Sequence, residues 1–136
     1  MATPATLPHV LAVQAALESA SLAVYVGGAP PGVEPTSEAP YVVLYPTPGT
    51  AVPGSLADDR VDFVGEVQLT CVGLTVGQAV NVCDRAAAAL ASPLVVDGRT
   101  AWKPEPRGGQ PARRDDDRTP PCFYAISLFR LRSTPQ

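Results

Sequence analysis

Val61-Asp62-Phe63-Val64-Gly65-Glu66-Val67-Gln68-Leu69-Thr70-Cys71-Val72-Gly73 carries the strongest pattern in the sequence. Val61, Phe63, Val67, Leu69 and Cys71 alternate with Asp62, Glu66, Gln68 and Thr70. Successive side chains of a strand point to opposite faces, so this stretch predicts a long strand with one face on a core and the other wet. Gly65 interrupts the apolar side, where a bulge or bend is expected. The next residues change period. Thr75-Val76-Gly77-Gln78 matches a capping box, and Val76, Ala79, Val80, Cys83, Ala86, Ala87 and Leu90 then fall on one helical arc opposite Gln78, Asn81 and Arg85. The alanines on that arc allow the helix to lie close to a sheet.

Upstream, Val10, Val13, Leu17 and Ala20 recur at helical spacing behind Thr6 as cap and Pro8 in the first turn, which predicts a first helix. Leu22 to Val26 reads as a short strand ended by Gly27-Gly28, and a loop runs from Gly27 to about Pro40. Tyr41 to Tyr45 is a second, interior strand stopped by Pro46 and Pro48, with a loop from there to about Asp59. Downstream of the second helix, Leu94-Val95-Val96 and Arg99 to Lys103 flank Asp97-Gly98, a two-residue hairpin turn, with Trp102 as a partly buried anchor on the return. Glu105 to Pro121 is polar and aperiodic and reads as a long mobile loop. Cys122 to Arg132 is the last long strand, and Ser133 to Gln136 should fray.

With 136 residues, 46% of them hydrophobic and 17% charged, the chain has the balance of one globular domain spanning 1–136, and its 16 prolines and 11 glycines imply long connections. The expected fold is α+β: a mixed, mainly antiparallel sheet, two helices packed on one face, and long loops. A net charge of −3 gives no footprint for clamping phosphates, and no apolar run reaches the length of a membrane helix. Neither nucleic-acid capture nor a membrane is expected, and synthesis in the cytoplasm is.

Reaction chemistry is sparse. His9 is the single histidine and has no carboxylate or cysteine beside it in sequence, so every Ser-His or Cys-His pairing must use this residue. Cys71, Cys83 and Cys122 are odd in number and form no Cys-x-x-Cys pair, which fits buried free thiols better than a zinc site or a disulfide framework. Asp115-Asp116-Asp117 lacks the spaced ligands of a calcium loop and is flanked by arginines. No catalytic residue, metal or cofactor is expected. Arg107, Arg113, Arg114 and Arg118 equal Glu105, Asp115, Asp116 and Asp117 in number, a composition that suits pairing across a repeated interface as well as a solvated surface.

The element order, together with Ala39-Pro40-Tyr41-Val42-Val43-Leu44-Tyr45-Pro46, Asp59-Arg60-Val61-Asp62-Phe63, Gln68-Leu69-Thr70-Cys71-Val72-Gly73, and Thr75 and Gln78-Ala79 opening a helix that contains Asp84-Arg85, resembles the tail terminator (tail completion) proteins of long-tailed bacteriophages. The bias to arginine over lysine and to alanine, proline and valine suggests coding at high GC content, and the quoted stretches resemble the terminators of phages that infect GC-rich actinobacteria. The resemblance implies a homo-hexameric ring on the head-proximal end of the tail tube, made in the host bacterial cytoplasm and carried in the virion. Its implied partners are further copies of itself, the tail tube protein, and a neck, head-completion or connector protein, with DNA passing through unbound. It brings no catalytic residues. The interface candidates therefore come from the residues: Arg107, Arg113, Arg114, Asp115, Asp116, Asp117 and Arg118 in the polar stretch, Leu56, Asp58, Asp59 and Arg60 before the alternating strand, and Asp62 and Glu66 on its wet face as lumen-facing groups. A head-tail connector or neck adaptor is the alternative of the same class. A small ligand-binding or enzymatic domain with its site under the Gly27 to Pro40 loop is the alternative of another.

Overall fold

The computed structural model describes residues 4–36, 39–53, 61–117 and 121–136. Helix α1 (Thr6–Ser19) leads into β1 (Ala23–Val26) and then β2 (Tyr41–Pro53). Strand β3 (Val61–Gly73) is followed by helix α2 (Val76–Ala89), the small hairpin β4 (Val95–Val96) and β5 (Arg99–Ala101), and the long strands β6 (Glu105–Asp115) and β7 (Cys122–Pro135). One sheet holds all seven strands in the order β1-β2-β3-β7-β5-β4, with β6 also on β7. Among the described residues, only β1 and β2 run parallel. The sheet is mixed and mainly antiparallel, and the fold is α+β.

The core lies between the two helices and the face of β3 that carries Phe63, Val67, Leu69 and Cys71. Val10, Val13 and Leu17 of α1 meet it, as do Val82, Ala86 and Leu90 at α2. Burying each large side chain of this set contributes roughly 1.5–3 kcal/mol, which is why both helices take the same face. The arc on α2 is rotated from the sequence reading: Val82 is buried, whereas Val76, Val80 and Ala87 are exposed. Ala79, Val82, Ala86 and Leu90 form a narrower stripe at three- and four-residue spacing, and the small alanines let it seat close to the sheet.

Thr75 caps α2 by accepting from the Gln78 N–H at 3.1 Å. Gln78 does not return the bond to Thr75. Its Oε1 accepts from the Leu74 N–H at 2.6 Å and its Nε2 donates to the Thr36 carbonyl at 2.9 Å, so it ties the loop after β1 to the helix start. At α1 the N-cap is Ala5, not Thr6. The Thr6 hydroxyl instead accepts from the Gly49 N–H at 3.0 Å and anchors the helix to β2. Arg85 reaches from α2 to the Ala20 and Ser21 carbonyls at 3.1 and 3.4 Å, satisfying groups that α1 leaves open at its end.

Strand β2 runs through Pro46 and Pro48 to Pro53, beyond the expected stop at Tyr45. The bulge expected at Gly65 sits across from it. Between Thr47 and Thr50, two residues of β2 oppose the single Gly65 of β3, while the β3–β7 register is unbroken from Gly73↔Phe123 to Phe63↔Ser133. A Cβ at Gly49 or at Gly65 would run into the Phe63 ring, so both positions must be glycine for that ring to lie flat on the strands.

The stretch 105–115 is a strand, not a mobile loop. It pairs antiparallel with β7 from Glu105↔Arg130 to Asp115↔Cys122. Backbone hydrogen bonds make that ladder without help from side-chain pattern, since β6 is exposed at nearly every position. The C-terminal residues do not fray either: β7 continues to Pro135 against β5, and the Gln136 N–H donates to the Gly98 carbonyl at 3.2 Å.

Candidate functional site

The sheet face turned away from the helices is assembled from alternate residues of four strands. In register across β2, β3 and β7 lie Thr47, Glu66 and Arg130; Tyr45, Gln68 and Leu128; and Val43, Thr70 and Ile126. Glu105 of β6 stands opposite Arg130 on its other side. Glu66, Arg130 and Glu105 therefore form a row of alternating sign, an arrangement worth about 0.2–1 kcal/mol per directly facing pair. Glu66 is exposed and Asp62 half-buried on this face, where the alternation put them.

This face is not wet throughout. Tyr41, Val43, Val72 and Cys122 make a second apolar cluster on it, covered by Ala29 and Val33 of the loop after β1 and flanked by Tyr25 and Tyr124. The Tyr25 and Tyr41 rings meet edge to face at 5.5 Å. Beside the cluster lies a recess of about 370 Å3, floored by Tyr41, Val43 and Val72 and walled by Tyr124, Asp115 and Asp117.

The β6–β7 hairpin gathers the charged candidates. Arg113 and Asp115 share the open face with Tyr124 and Cys122, whereas Arg114 stands opposite Phe123 on the helix side. Arg114 pairs with Asp116 at 2.6 Å and Arg107 with Glu105 at 3.7 Å, all four side chains well exposed. Pairs this open contribute little to the stability of the subunit. Asp117 N–H donates to the Asp115 carboxylate at 3.1 Å, which shapes the turn that follows β6. Leu56, Asp58, Asp59, Arg60 and Arg118 lie outside the described residues. Trp102 is about half exposed, and the Arg132 guanidinium lies 5.4 Å from its ring centre.

One polar cluster has no counterpart in the sequence reading. His9, 1% exposed, stacks on Phe63 with ring centres 3.8 Å apart. Its Nδ1 is 2.8 Å from the Ala5 carbonyl, which can only accept, so Nδ1 carries the proton. Nε2 then accepts from the Ser133 hydroxyl at 2.6 Å, and that oxygen in turn accepts from Arg99 Nε at 2.7 Å. Arg99 also donates to the carbonyls of Val61 at 2.8 Å and Ser133 at 3.2 Å. Burial lowers the His9 pKa first of all and the Arg99 charge lowers it further, against the opposing bond to Ala5. A neutral imidazole thus closes a chain of donors and acceptors that locks α1 to β5 and β7. The Ser-His pair is sealed, Ser133 being 0% exposed, so it presents no nucleophile to a solute. Nothing local signals it: 124 residues separate the partners, and Ser133 stood in the stretch read as frayed. Among the described residues, no group of three or more His, Cys, Asp or Glu side chains is placed to hold a metal ion, and no helix is long and apolar enough to cross a membrane.

No protein-family model matches the sequence. No curated protein matches it either. Among solved structures, a chain of the virion of a native gene transfer agent particle is similar with a TM-score of 0.58 and 19% sequence identity. The two chains share a fold. The likeness covers 95% of each, so it spans nearly the whole chain and not a recurrent β-α fragment.

Proposed function

We propose that residues 1–136 are one assembly unit of a tailed, phage-like particle with a structural and not a catalytic role, and specifically its tail terminator. In this reading the protein forms a homo-hexameric ring on the head-proximal end of the tail tube, halts tube growth and joins the tail to the neck. The observation that supports it most is the end-to-end likeness of fold to a gene transfer agent virion chain, which agrees with the resemblance found in the element order and in the Tyr41 and Val61 strands. The surface fits the same reading. The exposed hairpin carries balanced charges at Arg107, Arg113, Arg114, Asp115, Asp116 and Asp117, which serve here as intersubunit or tube-facing contacts. Arg118 and the segment with Leu56, Asp58, Asp59 and Arg60 belong to the same proposed interface by sequence alone. Asp62 and Glu66 supply negative charge beside the channel, so that DNA passes without being held.

The experiment is co-assembly. Purified protein mixed with polymerising tail tube protein of the same particle should shorten the tubes and appear as a ring on one end in electron micrographs. Unaltered tube lengths with no end density refute the terminator reading. Binding to the portal or head-completion protein in place of the tube would assign the protein to the connector instead.

A further inference from the structure

We propose that Cys71 and Cys83 are a reversible oxidation site, a thiol pair that a peroxide converts to a disulfide clipping α2 onto β3. Two independent placements set both side chains beside Ala125 of β7 on the core face. Cys71 is a fully buried member of the core face of β3, and its cross-strand partner on β7 is Ala125. Cys83 packs against that same core from α2, with its Sγ 4.0 Å from the Ala125 carbonyl and 3.7 Å from the Ser127 hydroxyl. The Cys83 sulfur thus hangs over the row of the sheet to which Cys71 belongs. Ala79 and Ala86, a turn to either side of Cys83 and almost wholly buried, put little bulk between helix and sheet, so the approach is close.

The two thiols are chemically unlike. Cys83 is drawn down to about 7 by the hydrogen bond from Cys71, with burial opposing, the Ser127 hydroxyl helping and the Asp84 carboxylate opposing. Cys71 is pushed up by the same bond and by burial. Cys83, half-buried, is therefore the thiolate nucleophile and Cys71 the enclosed resolving thiol. In the first step the Cys83 thiolate attacks one peroxide oxygen. An S–O bond forms, the O–O bond breaks and hydroxide leaves, giving a sulfenic acid. The Cys71 sulfur then attacks the Cys83 sulfur, the S–O bond breaks and water departs. In sum, two thiols and one peroxide give one disulfide and two waters, the thiols being oxidised and the peroxide reduced. Cys122 is shut out of this chemistry, because it lies in the cluster on the opposite face of the sheet.

The test uses the whole chain, reduced and then treated with hydrogen peroxide, quenched, alkylated under denaturing conditions and digested. The expected product is an intramolecular peptide pair joined through Cys71 and Cys83, with alkylation confined to Cys122; dithiothreitol added before the alkylation should leave all three thiols open to it. Cys83→Ser, at the more exposed position, should fold as the parent does by circular dichroism and leave Cys71 fully alkylatable after peroxide. Cys71→Val keeps the core filled and should let Cys83 proceed to sulfinic acid. Overoxidised Cys83 beside an alkylatable Cys71 in the parent chain, a bridge through Cys122 or between two copies, or no oxidation at all would overturn the proposal.

Discussion

Acidification should strip stability through His9, and the size of the loss follows from its surroundings. The folded state holds the imidazole neutral, with Nδ1 donating to Ala5 and Nε2 accepting from Ser133, while the Arg99 guanidinium bonds the same hydroxyl. A proton on Nε2 would remove the acceptor that Ser133 needs and place a second cation beside Arg99. The folded pKa is accordingly lowered from the unfolded 6.5. Below 6.5 the unfolded chain binds the proton that the folded chain refuses, so the contribution is complete above that pH and is lost as pH falls. The slope cannot exceed about 1.4 kcal/mol per pH unit for one group, and the accumulated loss by pH 5.5 is at most about 1.4 kcal/mol. Urea titrations of the parent and of His9→Gln at half-unit steps from pH 8 to 5 measure it, because Gln keeps an acceptor for Ser133 but does not titrate. The difference between the two proteins should be constant from pH 8 to 7 and then shift against the parent. A flat difference down to pH 5, or one that favours the parent as acid is added, would mean that His9 is not buried as a neutral acceptor.

Leu90→Asp should cost about 3 kcal/mol or more, read as a lowered thermal midpoint, since a carboxylate at this buried position has no partner; an unchanged midpoint would put Leu90 on the surface. Gly65→Ala should cost about 1–3 kcal/mol by driving a methyl group into the Phe63 ring, and adding Phe63→Leu should recover part of it; strictly additive losses in denaturant titrations would show that the two do not touch. Reversing Arg107, Arg113 and Arg114 together to Glu should leave the melting curve within about 1 kcal/mol of the parent, because the pairs are exposed, yet lengthen tubes in the co-assembly assay. Normal tube lengths with the triple variant would remove the hairpin from the interface.

Legibility in the sequence followed burial. Strand β3 was plain because one of its faces is sunk in the core and its residues alternate accordingly, and the start of α2 because the Thr75 cap is a local signal within four residues. Strand β6 was invisible for the opposite reason. Neither of its faces is buried, and register shifts between Pro106 and Gly109 and between Gln110 and Arg113 reset its phase twice within 11 residues, so no period survives to be read. Helix α1 was found from Val10, Val13 and Leu17, but Leu7 and Leu11 on its exposed side are as apolar as the buried set, and the pattern alone does not tell the two sides apart. The prolines of β2 read as a stop because proline cannot donate to a ladder, yet the strand passes through them around a bulge. Alternation put Glu66 and Asp62 on the face of β3 turned away from the helices, and there they lie, Glu66 exposed and Asp62 half-buried. The long-range His9–Ser133–Arg99 chain left no local trace at all.

Strand β7 closes the ladders of β3, β5 and β6, yet it is translated after all three. As the chain leaves the ribosome, β3 waits with one edge open, and β5 and β6 have no sheet to join until residues 122–135 emerge. The nascent subunit is therefore a set of unsatisfied edges, vulnerable to strand addition by its neighbours on the same message. In this order of synthesis the complete sheet exists only once residues 122–135 have emerged. A chain stalled before Cys122 lacks the one strand on which β3, β5 and β6 all pair, and so leaves three strands without their shared partner.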